Sequence, residues 1–244
     1  MIKRFKTLAA SFFFTAALLS LPNASARAES TQPLTVVELF TSQGCSSCPP
    51  ADAYLGELAR LDEKEGILPL SFHVDYWDNL GWKDPYSSAD NTQRQRDYAS
   101  HMDLRYIYTP QMVVQGALQA TGSDRRTIVE QIKAARKMPA VDVQLHRNAQ
   151  TMQVMLAKTA KQVNANVFMV IYDKEHITKI KRGENSGKTI SNRNVVRSLM
   201  NIGSWTGEAA NLSFPLGDNG DACAVIIQSR ASGKILGAAT IAIN

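Results

Sequence analysis

The chain has 244 residues, with 27 Lys+Arg against 22 Asp+Glu and a formal charge of +5 at pH 7. Lys3, Arg4, Lys6 and Arg27 lie in residues 1–28 with no acid among them, so 23 bases face 22 acids in the remainder and the basicity carries no argument for a nucleic-acid partner. Three cysteines, Cys45, Cys48 and Cys223, allow one pair and leave one over.

In chain order, residues 1–28 read as a secretory signal peptide. Lys3, Arg4 and Lys6 form a basic start, Leu8 to Leu21 is apolar and uncharged, and Ala24-Ser25-Ala26 or Ala26-Arg27-Ala28 offers a small-residue cleavage site. The apolar run is shorter than the ~20 residues that span a bilayer. The expectation is Gram-negative-type export to the periplasm, or secretion, with no membrane span after cleavage. In that oxidising compartment Cys45 and Cys48 are the close pair. Roughly 216 residues remain, enough for two domains of about 100 each.

Leu34 to Phe40 is β-rich and predicts a buried strand. Cys45 and Cys48 follow a short loop, and Pro49 and Pro50 fit a first helical turn, where missing N–H groups matter least. The helix carries Tyr54, Leu55, Leu58 and Leu61 at helical spacing and stops before Gly66. On this reading Cys45 is exposed at a helix N-terminus, where free N–H groups and the helix dipole favour a thiolate, and Cys48 lies one turn deeper. Ile67 to Val74 predicts a second strand, and strand–helix–strand makes a parallel βαβ unit. Asp75 to Tyr86 gathers Tyr76, Trp77, Trp82 and Tyr86 among acids and Pro85, too polar for a core strand and too aromatic for a bland loop. Ser88 to His101 reads as a serine-capped amphipathic helix. Tyr106 to Val114 is strand-like, with Pro110 near its start, where a missing ladder donor is tolerated. Gly116 offers a hairpin, Ala117 to Thr121 a return strand, and Ser123 or Asp124 a cap for a helix to about Met138 with Ile128, Val129 and Ile132 inward.

Here the pattern becomes specific. A CxxC at a strand-to-helix junction, with Thr109-Pro110 opening a later strand before a hairpin and a helix, resembles the thioredoxin fold. The segments Glu38 to Asp52, His73 to Asp78, Tyr108 to Gln111 and Arg182 to Asn185 resemble an uncharacterised secreted bacterial family, the domain of unknown function 1223. The resemblance covers most of the chain beyond residue 28 and brings no settled activity. It implies an α/β, thioredoxin-like domain over residues 29–139 with a helical and aromatic insert, and a cis Pro110 packed beside the cysteines.

Past Pro139 the character changes. Val141 to Leu145 and Met152 to Leu156 alternate, and Val167 to Tyr172, Ala222 to Gln228 and Ile235 to Ile243 are apolar runs. Short strands with turn signals between them predict an antiparallel β-sandwich over residues 140–244. Within it Lys179 to Asn194 is polar and basic, and Asn194 to Met200 predicts a short helix.

The chemistry rests on Cys45-Ser46-Ser47-Cys48. The redox reading makes Cys45 the nucleophile and Cys48 the resolving thiol; a structural disulfide or a metal site are the rivals, though no second CxxC and no His-x-x-x-His supplies further ligands. Ser46-Ser47 is neither Gly-Pro nor Pro-His, so no reduction potential carries over from better-known relatives. By the resemblance, Glu38, two residues before Phe40, is a proton acceptor for Cys48; otherwise it is a carboxylate at a sheet edge, paired with Lys or Arg. Thr109-Pro110 either presents backbone to a substrate strand or opens an edge strand. Tyr76, Trp77 and Trp82 form an apolar lip for a peptide or pack the insert down. His73 and His101 either help a thiolate or are packed or surface residues, and Cys223 is a buried small hydrophobe or a resolving or intermolecular thiol. Arg182, Gly183, Glu184, Asn185 and Arg197 form a polar site or a solvated loop. The expected function is thiol–disulfide exchange with exported protein or peptide thiols and a separate redox partner, with no cofactor implied. The alternative is a secreted binding protein with a structural Cys45–Cys48 disulfide.

Overall fold

The structure, a computed structural model, describes residues 26–27, 33–148, 151–216 and 220–243. The expected signal peptide, apart from residues 26–27, lies outside them. The described elements are β1 (Ala26–Arg27), β2 (Thr35–Thr41), α1 (Pro49–Glu65), β3 (Ile67–His73), α2 (Ala89–His101), β4 (Gln111–Val114), β5 (Leu118–Thr121), α3 (Arg125–Ala135), β6 (Val143–Asn148), β7 (Thr151–Leu156), β8 (Ala165–Lys179), β9 (Thr189–Trp205), β10 (Ala210–Pro215), β11 (Ala222–Ser229) and β12 (Ile235–Ala242). Among them no helix is long and apolar enough to cross a membrane.

Local signals hold at several points. The βαβ unit forms, with β2 and β3 parallel from Thr35↔Ile67 to Thr41↔His73. Ser88 caps α2 by accepting from the Asn91 N–H, and Asp124 caps α3 by accepting from that of Thr127. Ile128, Ile132 and Ala135 face the core, but Val129 is 40% and Leu61 50% exposed, off the inner stripe of their helices.

The expected division into a thioredoxin-like α/β domain and a separate β-sandwich is not what the chain adopts. One mixed sheet of eight strands runs β12-β11-β8-β9-β3-β2-β4-β5. It joins the halves where β9 pairs in parallel with β3 at Ser71↔Val195. The physical reason is the free edge of β3: its backbone groups need partners, and the 15- and 17-residue strands of the β8–β9 hairpin supply them. Residue 139 falls in the connection between α3 and β6, yet Leu68, Leu70 and Phe72 share a core with Val170, Tyr172, Val196 and Ile226. The expected helix at 194–200 is for the same reason part of β9, where Val195 and Val196 pair with Asp173 and Tyr172. Only residues 111–114 of the expected 106–114 strand pair, with β2 and β5.

Strand alternation sorts the layers. Val37, Leu39 and Thr41 of β2 point to the face covered by α1 and α3, while Val36, Glu38 and Phe40 point to the face covered by α2. A second sheet, β1-β6-β7-β10, packs Leu145, Met152 and Val154 onto Val167, Met169, Val225 and Ile241 of the large one.

Candidate functional site

Cys45 and Cys48 form a disulfide with their Cα atoms 5.4 Å apart. Pro49 and Pro50 supply no N–H, so the carbonyl of Cys48 accepts from Ala51 (2.9 Å) and Asp52 (3.0 Å), and Cys48 is the residue that opens α1. Cys45 lies a turn ahead, its N–H on the Ser42 carbonyl at 3.1 Å. Its expected exposure is corrected: both cysteines are 0% exposed, and only Ser46 and Ser47 between them reach solvent.

The roof comes from the turn between β8 and β9. Asn185 Nδ2 donates to the carbonyls of Gln43 (2.9 Å) and Cys45 (2.8 Å), and Lys188 Nζ donates to Asn185 Oδ1 (2.8 Å). The Ser46 N–H donates to Glu184 Oε2 at 3.1 Å. Gly183, at φ 76°, presses so near Trp82 that a Cβ there would lie 3.1 Å from the Trp82 Cβ. The stretch 183–185 is therefore neither a free solvated loop nor remote from the cysteines. Arg197 stands apart, bonded to Asp173 at 3.4 Å.

The aromatic segment closes the side. Trp77 Nε1 donates to Thr109 Oγ1 at 2.8 Å, Trp82 Nε1 to Gln43 Oε1 at 3.2 Å, and the Tyr76 hydroxyl to Gln95 Oε1 at 3.2 Å. Burial pushes the Tyr76 phenol up to about 12. All three rings are half-buried with their polar ends turned inward. The Thr109–Pro110 bond is cis. Pro110 is buried, and Gly122 fits between it and the start of α1: a Cβ at Gly122 would lie 2.9 Å from that of Ala51 and 3.1 Å from that of Pro110.

Glu38 takes no part in this assembly. β2 lies between β3 and β4, not at an edge, and strand parity points Glu38 to the face opposite α1. There its Oε1 accepts from Arg94 Nε at 2.7 Å and its Oε2 from the Tyr98 hydroxyl. Arg94 is buried as well, so the two form a buried ion pair.

The carboxyl beside the cysteines is Asp52. It is 3% exposed, its Oδ1 accepts from Thr41 Oγ1 at 2.9 Å, and its Oδ2 has no partner. Burial pushes its pKa up to about 7, against the opposing pull of His73 and of the Thr41 and Asn192 side chains. His73, in register with Thr41, donates from Nδ1 to Asp84 Oδ2 at 2.7 Å and leaves Nε2 without a partner. Asp84 also accepts from the N–H of Gln43 (2.7 Å) and of Tyr86 (3.0 Å), which fastens it to the cysteine loop. Burial works against both charges, but each outweighs it for the other, so His73 is raised and Asp84 lowered from its ordinary value. Asn192 of β9 accepts from Gln43 Nε2 at 3.0 Å, and its side chain also pulls on the Asp52 carboxyl. A groove of about 560 Å³ between α1 and β9, lined by Pro49, Asp52, Arg60, Lys188 and Arg193, reaches Asp52 from solvent.

Sequence reasoning gave Asp52 and Asp84 no role and weighed His73 as a helper to a thiolate against a packed or surface residue. The available signal was Asp52 at i+4 from Cys48, on one helical face. Cys223 is 0% exposed in the core and burial pushes its thiol up to about 12. Among the described residues no three His, Cys, Asp or Glu are grouped to hold a metal ion.

The family model described as "Protein of unknown function (DUF1223)" matches residues 36–228. The chain is similar, at 30% identity and a TM-score of 0.75, to the crystal structure of protein AGR_C_4864 from Agrobacterium tumefaciens, over 87% of this chain and 96% of that one. It is similar in fold alone to HBP35 of Porphyromonas gingivalis, at 11% identity and a TM-score of 0.54, over 86% of this chain and 75% of that one. None of the curated proteins matches.

Proposed function

We propose that this chain, which belongs to the DUF1223 family of proteins of unknown function, is an exported thiol–disulfide exchange protein acting through Cys45 and Cys48 on exported protein or peptide thiols and a separate redox partner. The observation that carries this reading is the placement of a disulfide of sequence separation 3 at the opening of α1. There the positive end of the helix dipole stabilises a thiolate when the bond opens. Closing so short a loop stabilises a fold by only about 2 kcal/mol, a small return for a purely structural bond. Cys45 would form the mixed disulfide and Cys48 would resolve it, once the 183–185 roof lifts.

Burial favours a second reading: with both cysteines at 0% exposure, the disulfide is structural and the chain a secreted binding protein. A Cys48→Ala variant expressed with an intact leader separates the two. The exchange reading expects mixed disulfides between Cys45 and exported proteins, released by dithiothreitol. None at all, in a folded and exported variant, leaves the binding reading standing. N-terminal sequencing of the exported chain checks the cleavage expected within residues 24–28.

A further inference from the structure

We infer that Asp52, His73 and Asp84 form a buried proton relay for the cysteine pair, with Asp52 taking the thiol proton of Cys48 as the disulfide closes and returning it as the disulfide opens. This rests on the exchange reading above and gives it its acid–base group. Three features of the structure carry it.

The first is position. Asp52 is one helical turn beyond Cys48, its N–H on the Cys48 carbonyl at 3.0 Å, and side chains on a helix lean toward its N-terminus, which is the end the cysteines occupy. The second is unfinished bonding. Asp52 Oδ2 and His73 Nε2 are buried polar atoms with no hydrogen bond of normal length, and the Asn192 side chain of β9 pulls on the same carboxyl without closing one from its Nδ2. Native interiors rarely leave such atoms unpaired, and redox or catalytic sites are among the exceptions. The third is an exit, since the α1–β9 groove reaches Asp52 from solvent.

The charges that act on Asp52 are His73 from β3 and Asp84 from the 75–88 segment; Glu57 and Arg60 of its own helix and Lys188 and Arg193 from β9 and the turn before it line the groove outside. Burial outweighs them and holds the carboxyl to about 7, so near neutrality it can both accept and give a proton. His73 is a second proton position, its ring fixed by Asp84.

The step balances as follows. The Cys45 thiolate attacks an external disulfide, forming a Cys45 mixed disulfide and expelling one thiolate. Cys48 gives its proton to the Asp52 carboxylate and attacks the Cys45 sulfur. The Cys45–Cys48 bond forms, the bond to the external sulfur breaks, and a second thiolate leaves. Two protein thiols are oxidised, one external disulfide is reduced, and the proton departs through His73 or the groove.

The test mixes the reduced full-length chain with glutathione disulfide across pH 5.5–9, with acid quenching and mass spectrometry of the protein–glutathione adduct. The wild-type chain is expected to resolve the adduct with a midpoint near 7. Asp52→Asn is expected to accumulate it at pH 7, resolving roughly 100-fold more slowly. That deficit should close toward pH 9, as Cys48 ionises unaided near the ordinary thiol value of about 8.5. His73→Gln should move the midpoint upward, because the imidazolium that favours the carboxylate is gone. Asp52→Asn resolving at the wild-type rate at pH 7 overturns the relay, as does a wild-type midpoint at the free-thiol value. The latter decides the matter even if the variant fails to fold. A wild-type chain that neither forms an adduct nor is oxidised overturns the exchange reading itself, and the relay with it.

Discussion

A carboxyl whose pKa burial raises to about 7 weakens the fold once the pH climbs past the value at which the unfolded chain ionises. The sign is fixed by the unfolded value of 3.8 lying below the folded one. Stability is fullest below pH 3.8, falls as the pH rises to about 7, and is flat above that, because the unfolded chain releases its proton first. Asp52→Asn removes that loss. Thermal melts should show the unfolding midpoint raised by roughly 5 °C at pH 8 and by clearly less at pH 5; an equal gain at both would show that the carboxyl is not buried as an acid. Glu38 makes the opposite case. Glu38→Gln strips Arg94 of its buried counter-charge, and urea unfolding should show a loss of about 3 kcal/mol. Because Glu38 faces α2, the pH profile of disulfide exchange should not move, and a shifted profile would contradict the strand parity described above.

At the scale of elements, the cysteine loop is held down by a turn that lies far along the chain. Asn185 spans 142 residues to Gln43 and 140 to Cys45. Removing its side chain costs the closed roof two hydrogen bonds. With a net worth of about 1 kcal/mol each, Asn185→Ala should speed reduction of the disulfide by dithiothreitol roughly 30-fold. Stopped-flow or quenched alkylation reads that rate, and an unchanged value would mean that access runs through another opening. The elements themselves were largely readable from the sequence. Ser88 and Asp124 announce their helices, and the run to Phe40, the two prolines and Gly66 bound the first strand and helix. The same local reading made 194–200 a helix, because nothing within that stretch reports that Val195 finds strand partners on both sides and Val196 on one.

For the whole molecule, the eight-stranded sheet makes the two halves interdependent. Residues 29–139 expressed alone would leave the edge of β3 unpaired and strip Leu68, Leu70 and Phe72 of Val170, Tyr172, Val196 and Ile226. That fragment should show no cooperative thermal transition and no dispersed amide spectrum; a sharp transition would show that the N-terminal part can close its core alone.

What the sequence determined by itself is local. Caps, periodicity and proline placement act over a few residues, so the βαβ unit, the cysteine pair before a helix and the buried Cys223 were all within reach. So was family membership, because the segments around Cys45, His73, Thr109 and Arg182 are contiguous strings. What only the tertiary structure decided is where those strings meet. Strand parity turns Glu38 away from the cysteines, the packing of α1 on β2 buries Asp52 against Thr41, and the β8–β9 hairpin both completes the sheet and lays Asn185 over Cys45. Backbone hydrogen-bonding groups are alike at every residue, so which strand satisfies the edge of β3 is chosen by the packing of the whole core, not by any motif.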